Sequence, residues 1–150
     1  MLTPMFQLAH LSDPHLAPLP LPRVPELLNK RVFGYLSWLK RRKVIHQREI
    51  LSALAVDLAE VRPHHVAITG DICNISLPRE FVNGLDWLNT LGRPDWISVV
   101  PGNHDAYVPM AWDSSLGVWA EYMSSDATDG GEPVLPKGVD DFPYVRVCGP

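Results

Sequence analysis

The chain has 150 residues, 46% of them hydrophobic, and a formal net charge of −4, which suits one globular domain or part of one. No window approaches 18 consecutive apolar residues, and no basic flank precedes a long apolar stretch at the start. The sequence therefore predicts neither a membrane-spanning helix nor a secretory signal, and we expect a cytoplasmic protein.

The charge is unevenly distributed. Residues 1–48 carry eight Lys and Arg against two acids, whereas residues 49–150 carry five against fifteen acids. This makes a nucleic-acid-binding protein unlikely, although the basic segment between Arg23 and Arg48 could meet another anionic partner. The two cysteines, Cys73 and Cys148, are far apart, which argues against a disulfide scaffold or a thiolate zinc site.

The first half of the chain predicts a strand followed by two helices. Residues 5–11 are apolar enough for a buried strand. Five of the fifteen prolines then fall within 14–25, which predicts an extended loop. Apolar residues recur at helical spacing over 26–43 and again over about 44–61, so we expect two amphipathic helices, the second of which stops before Pro63.

The second half alternates strands and helices. Residues 66–69 and 96–100 predict short strands, and residues 79–91 between them predict a helix. Residues 112–123 predict another helix, and residues 144–147 one more strand. The alternation of strand and helix is the signature of an α/β fold.

Polar strings stand directly after the first three predicted strands. They are D-P-H at 13–15, G-D-I-C-N at 70–74 and G-N-H-D at 102–105. In an open α/β sheet, ligands bind outside the carboxyl ends of the strands, where such strings converge. Each string alone reads equally well as a turn or a helix cap, but three at successive strand ends favour a functional site.

The residue types indicate a metal centre. Asp13 and His15 are two residues apart, so in extended backbone both point to one side and could bind one ion. Asp71 carries two oxygens with which to bridge two cations, and Asn103 offers a neutral oxygen to the second. The three carboxylates of Asp13, Asp71 and Asp105 would repel one another in one cleft unless cations offset them.

The last string also suggests a proton donor. His104 follows Asn103 and would project differently from it, which suits an acid or a phosphate-contacting group more than a ligand. Asp105 could then orient the imidazole of His104 and favour its charged form.

The ordered set D-x-H, G-D-x-x-N and G-N-H-D resembles the calcineurin-like metallophosphoesterases. The resemblance covers residues 5–108 and implies an α/β fold, a layered β-sandwich flanked by helices. The family's pattern continues with Gly-His and Gly-His-x-His strings, whereas no histidine follows His104. We therefore expect residues 1–150 to be the N-terminal part of a single domain that extends beyond Pro150, with a Pro-rich loop and a basic-aromatic helical cap at about 14–43.

The resemblance also implies a mechanism and its ligands. Asp13, His15 and Asp71 would hold one metal, and Asp71 and Asn103 the other. A hydroxide shared by two divalent ions would attack a phosphomonoester or phosphodiester, while His104 and Asp105 assist the departure of the leaving group. Ligands of this kind suit manganese, iron, zinc or cobalt.

Two other functions stay open. Aromatic residues alternate with cations over 31–43, which predicts either a helix packed on its own domain or an anchor on anionic lipid that guides a lipid-linked phosphoester into the cleft. The missing downstream histidines allow a non-catalytic metal-binding or interaction module on the same frame. His46, His64 and His65 are expected to have surface or packing roles.

Overall fold

A three-stranded parallel sheet lies at the centre of the molecule. The computed structural model describes residues 5–42, 45, 48–127 and 130–148. The strands are β1 (Leu8–Leu11), β2 (His65–Thr69) and β3 (Ile97–Val100), and they are arranged in that order. In register, Leu11 lies beside Ile68, which lies beside Val99. The carboxyl ends of all three strands therefore meet at one edge, and the α/β prediction is confirmed.

The first strand differs from its prediction as a buried strand. β1 lies at one side of the sheet, and its residues alternate between exposed and half-buried. Leu8 is 57% exposed, whereas Val66 and Ile68 of β2 are fully buried. Apolar content alone does not distinguish an edge strand from a central one, because both need side chains that suit a pleated surface.

Two long helices lie within the connections between the strands. They are α2 (Arg48–Val61) and α3 (Pro78–Leu91). On α3, Phe81 and Leu88 are fully buried against Trp119. A Cβ on Gly84 would lie 2.6 Å from the indole of Trp119, so this helix needs glycine to approach its neighbour so closely.

The predicted helix at 26–43 is interrupted. A 3-10 turn spans Val24–Leu27, and helix α1 begins at Arg31, whose backbone N–H donates to the side-chain oxygen of Asn29 at 2.9 Å. Helix α1 (Arg31–Ser37) continues as a π-helical turn (Trp38–Arg42). We call residues 31–42 the cap segment.

Parts of two predictions fall on residues that the structure does not describe. Lys43, the last residue of the predicted cap, lies outside the described residues, as do His46 and most of the predicted beginning of the second helix. None of the helices in the described ranges combines the length and apolar character needed to cross a bilayer.

A small second hydrophobic core attaches the cap segment to the loop that follows β2. Trp38 packs with Leu19, Ile75 and Leu77, and all four are buried. A Cβ on Gly34 would lie 2.6 Å from the side chain of Ile75. The cap segment is therefore seated on the loop that follows β2.

The buried Arg31 adds polar contacts to this attachment. Its guanidinium donates to the carbonyls of Ile75 and Ser76 at 3.0 and 2.5 Å. Burial lowers the pKa of Arg31, and the charges of Glu26 and Glu80 oppose that shift. Two neighbouring carboxylates therefore offset part of the cost of burying this cation.

The C-terminal third contains short 3-10 helices instead of long regular elements. They span Trp112–Ser114, Leu116–Met123 and Val139–Asp141. The prediction of a strand at residues 144–147 is wrong. Its backbone N–H groups at Val145 and Val147 donate to the side chains of Ser125 and Asp126, so they are not available for a sheet ladder.

Candidate metal centre

The segments that follow the three strands are joined at the carboxyl edge of the sheet. We call residues 12–15, 70–77 and 101–107 the strand-end loops. The N–H of Asp13 donates to the carbonyl of Gly70 at 3.2 Å, and the N–H of His15 donates to the carbonyl of Asp71 at 2.9 Å. The N–H of His104 donates to Oδ1 of Asp71 at 2.7 Å. Asp13, His15, Asp71 and His104 are thereby brought together.

Two glycines allow the second and third loops to touch. Gly70 has φ +84°, a left-handed conformation that glycine adopts without strain. A Cβ on Gly70 would lie 2.5 Å from Cα of Gly102, and a Cβ on Gly102 would overlap the carboxylate of Asp71. The loops can approach this closely only because both positions lack a side chain.

Left-handed backbone recurs at non-glycine residues of the same edge. Asp13, His15, Asp71 and Ser76 have φ of +54°, +38°, +57° and +56°. Such conformations are uncommon outside glycine and cluster at functional sites, where the surrounding contacts hold them. Here those contacts are the hydrogen bonds between the loops.

His15 is oriented as metal-binding histidines are. It is buried, and its Nδ1 lies 2.9 Å from the carbonyl of Cys73. A carbonyl only accepts, so Nδ1 carries the hydrogen in the neutral ring and Nε2 carries the lone pair. Nε2 lies 3.8 Å from Oδ2 of Asp71. A backbone carbonyl that fixes the second nitrogen is the usual partner of a histidine ligand.

Three side chains converge closely enough to share one cation. One ligand atom from each of His15, Asp71 and His104 lies within 4.8 Å of the other two. The imidazole of His15 and the carboxylate of Asp71 suit a divalent ion such as zinc, manganese, iron or cobalt, whereas both ring nitrogens of His104 already contact the Asn74 carbonyl and Arg42. Within the part of the chain that the structure describes, the side-chain Oδ1 of Asn74 is buried and has no hydrogen-bond partner, and the backbone carbonyl of Asn74 contacts His104. The residues therefore fit a metal.

The two remaining candidate ligands lie on the exposed side. Asp13 is exposed, and the hydroxyl of Ser12 donates to its carboxylate. This hydrogen bond lowers the pKa of Asp13, with smaller contributions from the charges of His15 and His104. Asn103 is exposed in the turn beside His104. Asp13 therefore stays ionised at the rim of the group formed by His15, Asp71 and His104.

His104 is held by its ring as well as by its backbone. Its Nδ1 lies 2.5 Å from the carbonyl of Asn74, and Nε2 lies 3.0 Å from Nη2 of Arg42. Its ring stacks on Tyr107 at 5.5 Å between centroids and meets the edge of His15 at 5.0 Å. Because the Asn74 carbonyl accepts from Nδ1, Nε2 is the acceptor of the Arg42 contact.

The prediction that Asp105 orients the imidazole of His104 is wrong. Both oxygens of Asp105 accept backbone N–H groups, from Asp71 and Gly102 on Oδ2 and from Cys73 on Oδ1, at 2.7 to 2.8 Å. Burial raises the pKa of Asp105, and these three N–H groups oppose that rise. Asp105 therefore ties two strand-end loops together instead of acting on the ring.

Sequence analysis missed several residues that shape this edge. Ser76 is fully buried, and its hydroxyl lies within hydrogen-bonding distance of the carbonyls of His104 and Asp105. The carboxylate of Glu80 accepts the N–H groups of Asn74, Ile75 and Leu77. A signal for Glu80 exists, since proline at the first and glutamate at the third helical position mark a helix start. Ser76 has no comparable signal.

The comparisons agree with the geometry of this edge. The sequence profile of the family described as calcineurin-like phosphoesterase matches residues 6–147. A search of curated proteins gave no match, and neither did a search of solved structures. The profile spans the sheet, the cap segment and all the strand-end loops. The chain belongs to the calcineurin-like phosphoesterase family.

Proposed function

We propose that the protein hydrolyses a phosphomonoester or phosphodiester with the help of divalent metal ions at the carboxyl edge of the sheet. The observation that supports this most directly is the convergence of His15, Asp71 and His104 within 4.8 Å in a chain of this family. Parallel sheets place ligand sites at this edge, where loops can vary while strands hold them in place.

Four residues would hold the ions in this proposal. Asp13, His15 and Asp71 would bind one ion, and Asp71 and Asn103 would bind a second. When bound, the ions would lower the pKa of a water nucleophile and neutralise charge on the phosphoryl oxygens. The chain itself supplies a histidine whose tautomer is fixed by Cys73 and a carboxylate whose second oxygen is held by the N–H of His104.

His104 is the proposed proton donor to the leaving group. Its Nδ1 donates to the carbonyl of Asn74, so the nitrogen available for transfer is Nε2, which accepts from Arg42 in this structure and must take up a proton before it can act as the acid. A general acid must lie within hydrogen-bond reach of the oxygen it protonates. His104 meets this geometric need only if substrate takes the place that the guanidinium of Arg42 holds beside Nε2.

The test joins metal content to turnover. We would measure bound metal and the hydrolysis of p-nitrophenyl phosphate and bis-p-nitrophenyl phosphate, with and without manganese, on this chain and on any natural extension of it. The His104→Ala variant should lose kcat and keep its metal. A wild-type protein without metal or turnover in every form would favour a non-catalytic module on the same frame.

A second candidate function follows from the outer surface of the cap segment. Tyr35 and Trp38 stack on each other and face inward, whereas Phe33, Leu36 and Leu39 are 70%, 48% and 46% exposed. Lys40 follows them and is also exposed. An apolar ridge beside a cation suits the surface of an anionic bilayer, so we propose a membrane-surface role for the cap segment, with a lipid-linked phosphoester as the substrate.

Liposome flotation tests this second candidate. The protein should float with vesicles that contain phosphatidylserine and stay down with vesicles of phosphatidylcholine alone. Phe33→Asp should abolish flotation, and Val56→Asp, at an exposed apolar position on α2, should leave it intact. Equal behaviour of the two variants would contradict a membrane role for the cap segment.

A further inference from the structure

The last turn of the cap segment places Arg42 beside His104 at the candidate metal centre. Arg42 ends the π-helical turn, and its Nη2 lies 3.0 Å from Nε2 of His104 while Nη1 lies 3.2 Å from Nδ1. The guanidinium therefore faces the edge of the imidazole with both terminal nitrogens. Arg42 and His104 are 62 residues apart in sequence, so only the fold brings them together.

Among the described residues, no carboxylate pairs with the half-buried side chain of Arg42. Arg79, Arg93 and Arg146 each pair with a carboxylate. Over residues 5–42, 45, 48–127 and 130–148, Arg42 has no such ion pair. Its Nη2 donates to Nε2 of His104, and its Nη1 lies close to Nδ1, whose own hydrogen is donated to the carbonyl of Asn74. A cation held at a cleft without a counter-charge is suited to receive an anion.

The surrounding charge favours a further cation at a site for an anionic substrate. Asp13 and Asp71 both lie at this edge, and a phosphoester that approaches them meets two carboxylates. A guanidinium offers paired N–H donors that match the spacing of phosphoryl oxygens, and hydrogen bonds between ionised groups are the stronger ones. Arg42 is placed to offset this repulsion.

The position of Arg42 is supported from within the fold. Trp38 lies one helical turn before it and is 93% buried in the second core. Gly34 and Arg31 fix the preceding turns of α1 on the loop that follows β2. The same loop carries the carbonyl of Asn74 that holds His104, so the arginine and the imidazole are positioned by one common support.

We propose that Arg42 binds the phosphoryl oxygens of the substrate. When no substrate is bound, the guanidinium of Arg42 contacts Nε2 of His104 instead. The inference rests on the proposed phosphoester hydrolysis and adds a binding residue contributed by the cap segment. When a phosphoryl group enters, the guanidinium transfers its N–H donors from Nε2 of His104 to phosphoryl oxygen. The cap segment then takes part in substrate binding directly.

Inorganic phosphate is the probe for this assignment. Its dissociation constant would be measured by titration calorimetry on the full chain at equal metal content, for wild type, Arg42→Ala, Arg42→Lys and Arg41→Ala. Arg41 is the adjacent exposed residue, so its variant removes the same charge from the same turn. We expect Arg42→Ala to weaken phosphate binding about 10- to 100-fold, Arg42→Lys to weaken it less because the ammonium keeps charge but not the paired donors, and Arg41→Ala to change it less than about two-fold.

The outcomes separate this inference from the function on which it rests. Equal effects of Arg42→Ala and Arg41→Ala on phosphate affinity, or no effect of either, overturn the role of Arg42, even if the wild type hydrolyses phosphoesters. Selective loss in Arg42→Ala, with an unchanged circular dichroism spectrum, supports the role. Absence of hydrolysis by the wild type, beside selective phosphate binding, overturns the proposed function and leaves the anion site in place.

Discussion

In the strand-end loops, the carboxylates of Asp71 and Asp105 are buried and accept backbone N–H groups, whereas the cap segment turns two of its four cations and much of its apolar surface to solvent. Asp105 accepts three N–H groups from two loops. On the cap segment, Lys40 and Arg41 are exposed, as is Phe33. The loops therefore fix the geometry of the candidate metal centre, whereas the cap segment leaves charged and apolar side chains exposed.

The largest expected effect comes from the residue shared by the two proposed ions. Asp71→Asn removes a charge from the group formed with His15 and His104 and should lower both metal content and hydrolysis by at least about 100-fold. Asp86→Asn, at an exposed position on α3, is the matched control. Metal analysis and kinetics on both variants check this, and full metal content in Asp71→Asn would contradict the assignment.

The next effect tests whether the loops are held by a buried carboxylate. Asp105→Asn leaves one acceptor oxygen where two oxygens serve three N–H groups, so the free energy of unfolding should fall by about 2–4 kcal/mol. Asp113→Asn, at an exposed acid, should change it by less than about 0.5 kcal/mol. Urea denaturation of both variants measures the difference. Similar values for the two would mean that the loops do not depend on Asp105.

A smaller effect concerns how the cap segment is seated. Gly34→Ala places a Cβ 2.6 Å from the side chain of Ile75 and should cost about 1–3 kcal/mol of stability. It should also raise KM more than it lowers kcat, since the nearest atoms to the added Cβ belong to Ile75 and Tyr107 and not to His15 or Asp71. Gly138→Ala, where nothing lies within 4 Å of the added Cβ, is the control. A Gly34→Ala variant with wild-type stability and KM would show that the seating is loose.

The smallest effect is a pH dependence carried by Glu80. Burial raises the pKa of this carboxyl, although three backbone N–H groups oppose the rise. The folded chain then holds the proton more tightly than the unfolded chain, so the stability contributed by protonation is full below the ordinary pKa and is lost as pH rises through the raised one.

Urea denaturation between about pH 4 and pH 7 checks this dependence. The stability of the wild type should fall with rising pH across that window relative to Glu80→Gln, which has no proton to release. Glu80→Gln should also be less stable overall, since it keeps one acceptor oxygen for three N–H groups. Parallel pH profiles for the two proteins would contradict the raised pKa.

The sequence predicted which residues lie at the carboxyl ends of the strands better than it predicted the contacts among those residues. Strand ends are marked locally, by Gly70-Asp71 after β2 and Pro101-Gly102 after β3, and a parallel order follows from the alternation of strand and helix. The α/β class and the position of the polar strings could therefore be predicted. The exposure of β1 could not, because it depends on which strand lies beside it.

Contacts with the backbone account for most of what was missed. Asp105 was assigned to the neighbouring imidazole because a carboxylate beside a histidine suggests that pair, but its partners are N–H groups of Asp71, Cys73 and Gly102. No side-chain pattern encodes such partners. The sequence identifies Arg42 only as part of the basic segment. Its contact with His104 depends on how Trp38 and Gly34 pack the cap segment against the loop that follows β2.

The order of the strands has a consequence for how this molecule can change. The whole cap segment lies within one connection, between the end of β1 at Leu11 and the start of β2 at His65. The β1–β2 ladder pairs four residues on each strand and uses none from that connection. Evolution or a protein engineer can therefore exchange the part of the connection that carries the cap segment, and thereby change what the molecule binds, while Asp13 and His15 at the start of the connection and the other two polar strings stay in place.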